Sequence, residues 1–145
     1  RVTGVRLGDG RVLPADLVLS SSVFEHLPGA AVDGICAALS ALTLPGGMQV
    51  HFIDLRDHFF KYPFEMLTFT ETTWRRWLNP TSNLNRWRLP AYQQVFQRHF
   101  SQVAVTILER DPAALALVRQ RLQPEFILAD PELQDVTQVR LDAFK

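Results

Sequence analysis

A chain of 145 residues, 47% apolar and 21% charged, is long enough to bury one real core and too apolar for disorder. Lys plus Arg equals Asp plus Glu, 15 each, which excludes the global field that would attract nucleic acid or an anionic membrane. The single cysteine, Cys36, excludes an internal disulfide, and no apolar run approaches the roughly 18 residues of a membrane span, so a reducing, cytoplasmic setting is expected.

In chain order, Val2 to Leu7 alternates apolar and polar residues imperfectly, and Val12-Leu13 resumes the pattern after Gly8-Asp9-Gly10, a hairpin signature. The opening on Arg1, without Met or a signal peptide, is expected of a processed, truncated or partial chain. Pro14 leads into Leu17, Val18 and Leu19, an apolar run without alternation, as expected of a strand covered on both faces in a parallel sheet. From Pro28 the period changes: Val32, Ile35, Leu39 and Leu42 form one stripe of a helix, stopped by Thr43-Leu44-Pro45-Gly46-Gly47. Met48 to Leu55 reads as the next strand.

Phe59 to Arg88 is aromatic-rich and irregular, with Thr72 or Thr73 as candidate cap of a short helix carrying Trp74 and Trp77. It reads either as a lid over a substrate or as core beneath a long loop. Pro90 opens an amphipathic helix with Tyr92, Val95 and Phe96, and Val103 to Leu108 is a β-branched strand. Asp111-Pro112 caps a helix bearing Leu115, Val118 and Leu122; Asp130 to Leu133 is a turn, and Val136 to Phe144 a closing strand. Strands alternating with helices give an α/β sheet, parallel at least at its centre.

The chemistry gathers where strands end. In open α/β sheets ligands sit outside the carboxyl ends of the strands, and the first buried run ends in Ser20, Ser21 and Ser22, then Glu25 and His26. The serines either contact a ligand or satisfy backbone groups at the turn. Glu25 either faces the cleft or supports the following helix by its charge. Asp54, Arg56, Asp57 and His58 end the next strand and are expected to line the substrate side. With His51 they also suggest a metal group, but alternation puts His51 and Asp54 on opposite strand faces, and no metal site is expected. Asn85, Arg86 and Arg88 are candidates for a carboxylate, phosphate or sugar hydroxyl, Arg suiting a planar anion; otherwise they form a solvated loop.

These residues carry a resemblance. Asp16-Leu-Val-Leu-Ser-Ser-Ser-Val-Phe-Glu-His-Leu27, a helix, Leu44-Pro-Gly-Gly47 and a strand resemble part of the class I S-adenosylmethionine-dependent methyltransferases. The matching family features are the fourth strand with its Glu-His, helix D, the Leu-x-Pro-Gly-Gly turn and the fifth strand. Here the residue between Leu and Pro is missing. His51-Phe-Ile-Asp-Leu-Arg-Asp-His58, Leu67-Thr-Phe69, Trp74 and Asn85-Arg-Trp-Arg88 are similar to methyltransferase type 11/23 proteins. So is Pro124-Glu-Phe126, with the acidic turn and last strand after it. The resemblance implies a Rossmann-like, mostly parallel sheet with flanking helices and an antiparallel last strand. It implies S-adenosylmethionine held by Ser20, Ser21, Ser22 and Glu25, with His26 as general base. Asp54, Arg56, Asp57, His58, Asn85, Arg86 and Arg88 would then face a small-molecule methyl acceptor, such as a sugar.

The family's Gly-x-Gly-x-Gly turn after its first strand and the acid ending its second are both missing. Residues 1–145 therefore read as one partial domain, strands four to seven, lacking the N-terminal glycine-rich strand-helix unit. Weak or absent cofactor binding is expected of this chain alone. A rival expectation is a non-catalytic half-domain that oligomerises, or pairs with another chain, through its exposed sheet edge; another is an unrelated α/β binding module.

Overall fold

The computed structural model describes residues 5, 6, 8, 12–79, 81 and 83–145. The opening alternation forms an antiparallel hairpin of β1 (Val5–Arg6) with β2 (Val12–Leu13). Its Asp9-Gly10 turn, with Val2, Thr3 and Leu7, lies outside the described residues. Next come β3 (Ala15–Ser21), α1 (Gly29–Leu42) and β4 (Thr43–Asp54). The aromatic block intervenes before α2 (Leu89–His99), β5 (Gln102–Arg110), α3 (Pro112–Val118) and β6 (Val136–Phe144).

The main sheet has the order β3-β4-β6-β5. β3 and β4 are parallel, and β6 is antiparallel to both β4 and β5. Three strands thus run one way, with the last strand inserted between β4 and β5 in the other sense. This is the Rossmann-like, mostly parallel sheet with an antiparallel last strand. The carboxyl ends of β3, β4 and β5 consequently lie at one end of the sheet.

Two local outcomes differ from the sequence pattern. β4 begins at Thr43 rather than Met48, because Thr43 pairs with Ala15 before the ladder resumes at Leu17 with Met48. The Pro-Gly-Gly segment is a bulge within the strand, where Gly46 has φ 79° and donates to the Lys145 carbonyl while Gly47 accepts from the Lys145 amide. The short helix of the aromatic block is capped by Thr70, whose side chain accepts from the Thr73 amide, not by Thr72 or Thr73. A single π turn, Trp74–Leu78, follows it.

α1 and α2 both cover one face of the sheet. Val18 and Ser20 of β3 lie on that face, with Gln49, His51 and Ile53 of β4, Val139, Leu141 and Ala143 of β6, and Val103, Val105 and Ile107 of β5. Phe24, Val32, Cys36, Tyr92 and Phe96 close over it as the main core. On the other face Leu17 is 56% and Leu19 66% exposed. The expectation that β3 is covered on both faces is therefore corrected: both helices pack on the Val18 side, and among the described residues nothing covers Leu17 and Leu19. A second core joins Phe64, Met66, Leu67, Trp74 and Leu84 of the aromatic block to Ala114, Leu115 and Val118 of α3. These segments follow β4 and β5, so most of the block's large side chains are core. Among the described residues, no helix is long and apolar enough to cross a membrane.

Candidate functional site

The turn after β3 starts with a conformational constraint. Ser22 sits at φ 51°, in the left-handed region disfavoured for residues with a Cβ, and its amide donates to the Phe52 carbonyl at 3.0 Å. A 3₁₀ turn, Phe24–His26, follows. Phe24 plugs the core, its ring 4.7 Å from that of His51 and 5.2 Å from that of Phe96. Asn85 clamps the turn from outside: its Nδ2 donates to the carbonyls of Phe24 and Leu27, each at 2.8 Å. The Asn85 amide donates to the Glu25 carbonyl at 2.7 Å, and Tyr92 Oη donates to Asn85 Oδ1 at 2.8 Å. Asn85 thus reaches the rim as its fastener.

An acid–imidazole cluster is gathered at this rim. Glu25 is 1% exposed, and among the described residues neither carboxylate oxygen has a hydrogen-bond partner. Burial raises its pKa, and the nearby amides of Glu25 and Asp54 and the charge of His26 offset this only in part. The rings of His26 and His58 lie 5.1 Å apart, and His58 Nε2 is 3.6 Å from Asp54 Oδ2. Arg56 grips Asp54 with a fork, Nε to Oδ1 at 3.0 Å and Nη2 to Oδ2 at 2.7 Å. Burial pushes Asp54 upward, but the hydrogen bonds and charge of Arg56 outweigh it and hold the carboxyl below its usual range. Asp57 is buried and turned back on its own loop, Oδ1 accepting from the amides of Phe59 and Phe60 at 2.8 and 3.2 Å. Burial raises its pKa.

Ser20, Ser21 and Ser22 end up in different settings. Ser20 faces the helix side and bonds His51 Nδ1 at 2.8 Å; Ser21 and Ser22 are exposed. The structure gives Arg86 and Arg88 tasks within the chain. Arg88, 4% exposed, donates to the carbonyls of Leu55, Gln134 and Val136, and burial lowers its pKa to about 10. Arg86, 6% exposed, donates to the carbonyls of Met66 and Phe69 and to Glu71, its guanidinium 4.5 Å from the Phe126 ring centroid. Their donors hold the aromatic block and the strand ends in place. Beside Asn85 opens a groove of about 810 Å³ lined by Gly29, Trp74, Arg75, Asn83, Trp87 and Phe126. Among the described residues, no three His, Cys, Asp or Glu side chains are placed to hold a metal ion.

Sequence reasoning missed a polar file under the helices. His51 Nε2 lies 2.8 Å from Gln49 Oε1, Gln49 Nε2 donates to Thr43 Oγ1 at 2.7 Å, and Thr43 Oγ1 donates to the Leu39 carbonyl at 2.8 Å. The available signal was Gln49 and His51 at i and i+2 of an apolar strand, which puts both on one face. Tyr92 was read only as part of an apolar stripe.

No protein-family model matches the chain, and no curated protein matches its sequence. Among solved structures it is similar to a "putative O-methyltransferase" from Nostoc punctiforme, with 16% identity and TM-score 0.51, over 92% of this chain and 32% of that one. It also matches a "possible exported protein" from Bordetella parapertussis, with 16% identity and TM-score 0.47, over 91% of this chain and 39% of that one. The chain spans about a third of the length of the first of these. The likeness is one of fold.

Proposed function

We propose that residues 1–145 form the carboxyl-terminal portion of a class I S-adenosylmethionine-dependent methyltransferase domain, acting on a small molecule such as a sugar. The observation that carries this reading is the meeting of Glu25, His26, Asp54 and His58 at the shared carboxyl rim of β3 and β4. The fold likeness to the Nostoc punctiforme protein is consistent with it.

The residues present fit the cofactor in one testable respect. Among the described residues Glu25 holds two buried acceptor oxygens without a hydrogen bond, and S-adenosylmethionine carries an ammonium and ribose hydroxyls that donate. Bound there, the cofactor supplies an electrophilic methyl group on a sulfonium. Glu25 and the serines orient it, and the strained Ser22 turn presents their backbone at the rim. His26 takes the proton of the methyl acceptor, while His58, Asp54 and Arg56 line the acceptor's side. The rest of the effect is alignment and exclusion of water.

Calorimetric titration of this chain with S-adenosylmethionine tests the reading. The expected result is weak, saturable binding that Glu25→Ala reduces; no heat at millimolar cofactor favours the half-domain reading instead. A second reading, a non-catalytic half-domain paired through β3, is favoured by a different observation. The outer edge of β3 has no partner strand among the described residues, and Leu17 and Leu19 beside it are exposed. A dimer in size-exclusion light scattering, dissolved by Leu19→Lys, with no cofactor binding, would support that second reading.

A further inference from the structure

The polar file from Leu39 to Ser20 has only one consistent order of protons. Thr43 Oγ1 lies 2.8 Å from the Leu39 carbonyl oxygen, and a carbonyl only accepts, so the threonine proton lies between them. Thr43 Oγ1 must then accept from Gln49, which fixes the amide with Nε2 toward Thr43 and Oε1 toward His51. An acceptor facing His51 Nε2 at 2.8 Å requires Nε2 to carry the ring proton. Burial keeps the imidazole neutral, with a pKa lowered to about 4, so Nδ1 is bare. Ser20 Oγ, 2.8 Å from Nδ1, must donate to it. The reverse order would leave two oxygens, Thr43 Oγ1 and Leu39 O, 2.8 Å apart with no proton between them.

We propose that His51 is a positioning residue that holds Ser20 as a hydrogen-bond acceptor toward the rim, so that the ligand atom facing Ser20 is a donor, an ammonium or a hydroxyl. Ser20 is half-buried at the end of an edge strand, and a hydroxyl that donates to His51 keeps its lone pairs for accepting. The ligand half rests on the proposed cofactor site; the proton order does not. His51 is insulated from pH by its neighbours. The turn after β3 and α2 set the rings of Phe24 and Phe96 against it, 4.7 and 5.1 Å away, and the charge that acts on it is Asp142 of β6.

Long-range ¹⁵N–¹H spectra of the histidines at pH 7 read the order directly. The expected result is one imidazole with a protonated Nε2 and a bare Nδ1 that does not titrate between pH 5 and 8; a protonated Nδ1, or averaged tautomers, overturns the proposal. Gln49→Met sharpens the test: it removes the acceptor facing Nε2, so the ring proton should move to Nδ1 and point at Ser20; an unchanged Nε2–H tautomer overturns the file. The ligand half is read by titrating wild type and Ser20→Ala with S-adenosylmethionine and with methylthioadenosine, which lacks the ammonium. Loss of roughly tenfold in affinity for S-adenosylmethionine alone identifies the ammonium as donor, and loss for both identifies a ribose hydroxyl. No loss for either overturns the ligand half. Absence of binding to wild type overturns the ligand half and favours the half-domain reading, while the spectra still decide the proton order.

Discussion

The two faces of the main sheet are made from similar residues and live in different surroundings. On the helix side Ile53, Val139, Leu141 and Ala143 are fully covered, and even Gln49 and His51 are shielded and hydrogen-bonded in file. On the other side Leu17 and Leu19, as apolar as anything in the core, stand exposed, and Arg140 pairs with Asp142 across two residues at 2.8 Å. An apolar side chain contributes to stability through what covers it, and the β3 leucines have no such cover among the described residues. The difference locates the stability of the chain on one face.

Truncation of the covered face should have the largest effect. Leu141→Ala removes a fully buried side chain between α2 and the sheet and should cost about 3 kcal/mol in urea unfolding, at unchanged denaturant slope; a cost below about 1 kcal/mol would break the comparison. The second effect is of similar size and is driven by pH. An unfolded histidine takes its proton near 6.5, whereas buried His51 holds out to about 4. Between those values the unfolded state binds more protons, so this contribution is complete above about pH 6.5 and falls as pH drops, levelling near pH 4 after a loss of about 3 kcal/mol. Unfolding free energies at pH 7 and pH 4.5, compared with those of His51→Gln, isolate it.

Glu25 works in the opposite sense. Its raised pKa makes the folded state bind the extra proton, so stability falls as pH rises above the ordinary carboxylate value of 4.5. Glu25→Gln should therefore stabilise the chain at pH 8 and leave it unchanged at pH 3.5, as thermal melts would show. The smallest effect is expected on the open face. Leu19→Thr should change stability by less than about 0.5 kcal/mol, and a loss comparable to that of Leu141→Ala would mean that something covers β3 in solution.

Element type was largely legible from period. The Val32, Ile35, Leu39, Leu42 stripe gave α1, the Asp111 cap is present with its side chain accepting from Ala114, and β6 runs over the expected residues. What covers an element was not legible: Leu17 to Leu19 has the composition of a doubly buried strand whether or not a second layer exists. Nor was β6 lying between β4 and β5, because the helical connection from Arg110 to Val136 is compatible with either side. At the rim, the Ser, Glu and His run follows the carboxyl end of β3, where the strand pattern put it. Arg86 and Arg88 look in sequence like ligand-binding cations, since a loop arginine gives no sign that backbone carbonyls surround it. The polar file was missed because Ser20, Gln49 and Thr43 meet only through strand pairing and the turn after α1.

The most direct measurement is an amide ¹⁵N–¹H map of this chain with S-adenosylmethionine added to millimolar concentration. The expected result is shift changes concentrated at Ser20 to His26 and Asp54 to His58, lost in Glu25→Ala. No shift at the rim, or shifts confined to the groove beside Trp87, would contradict a sulfonium site built on the ends of β3 and β4.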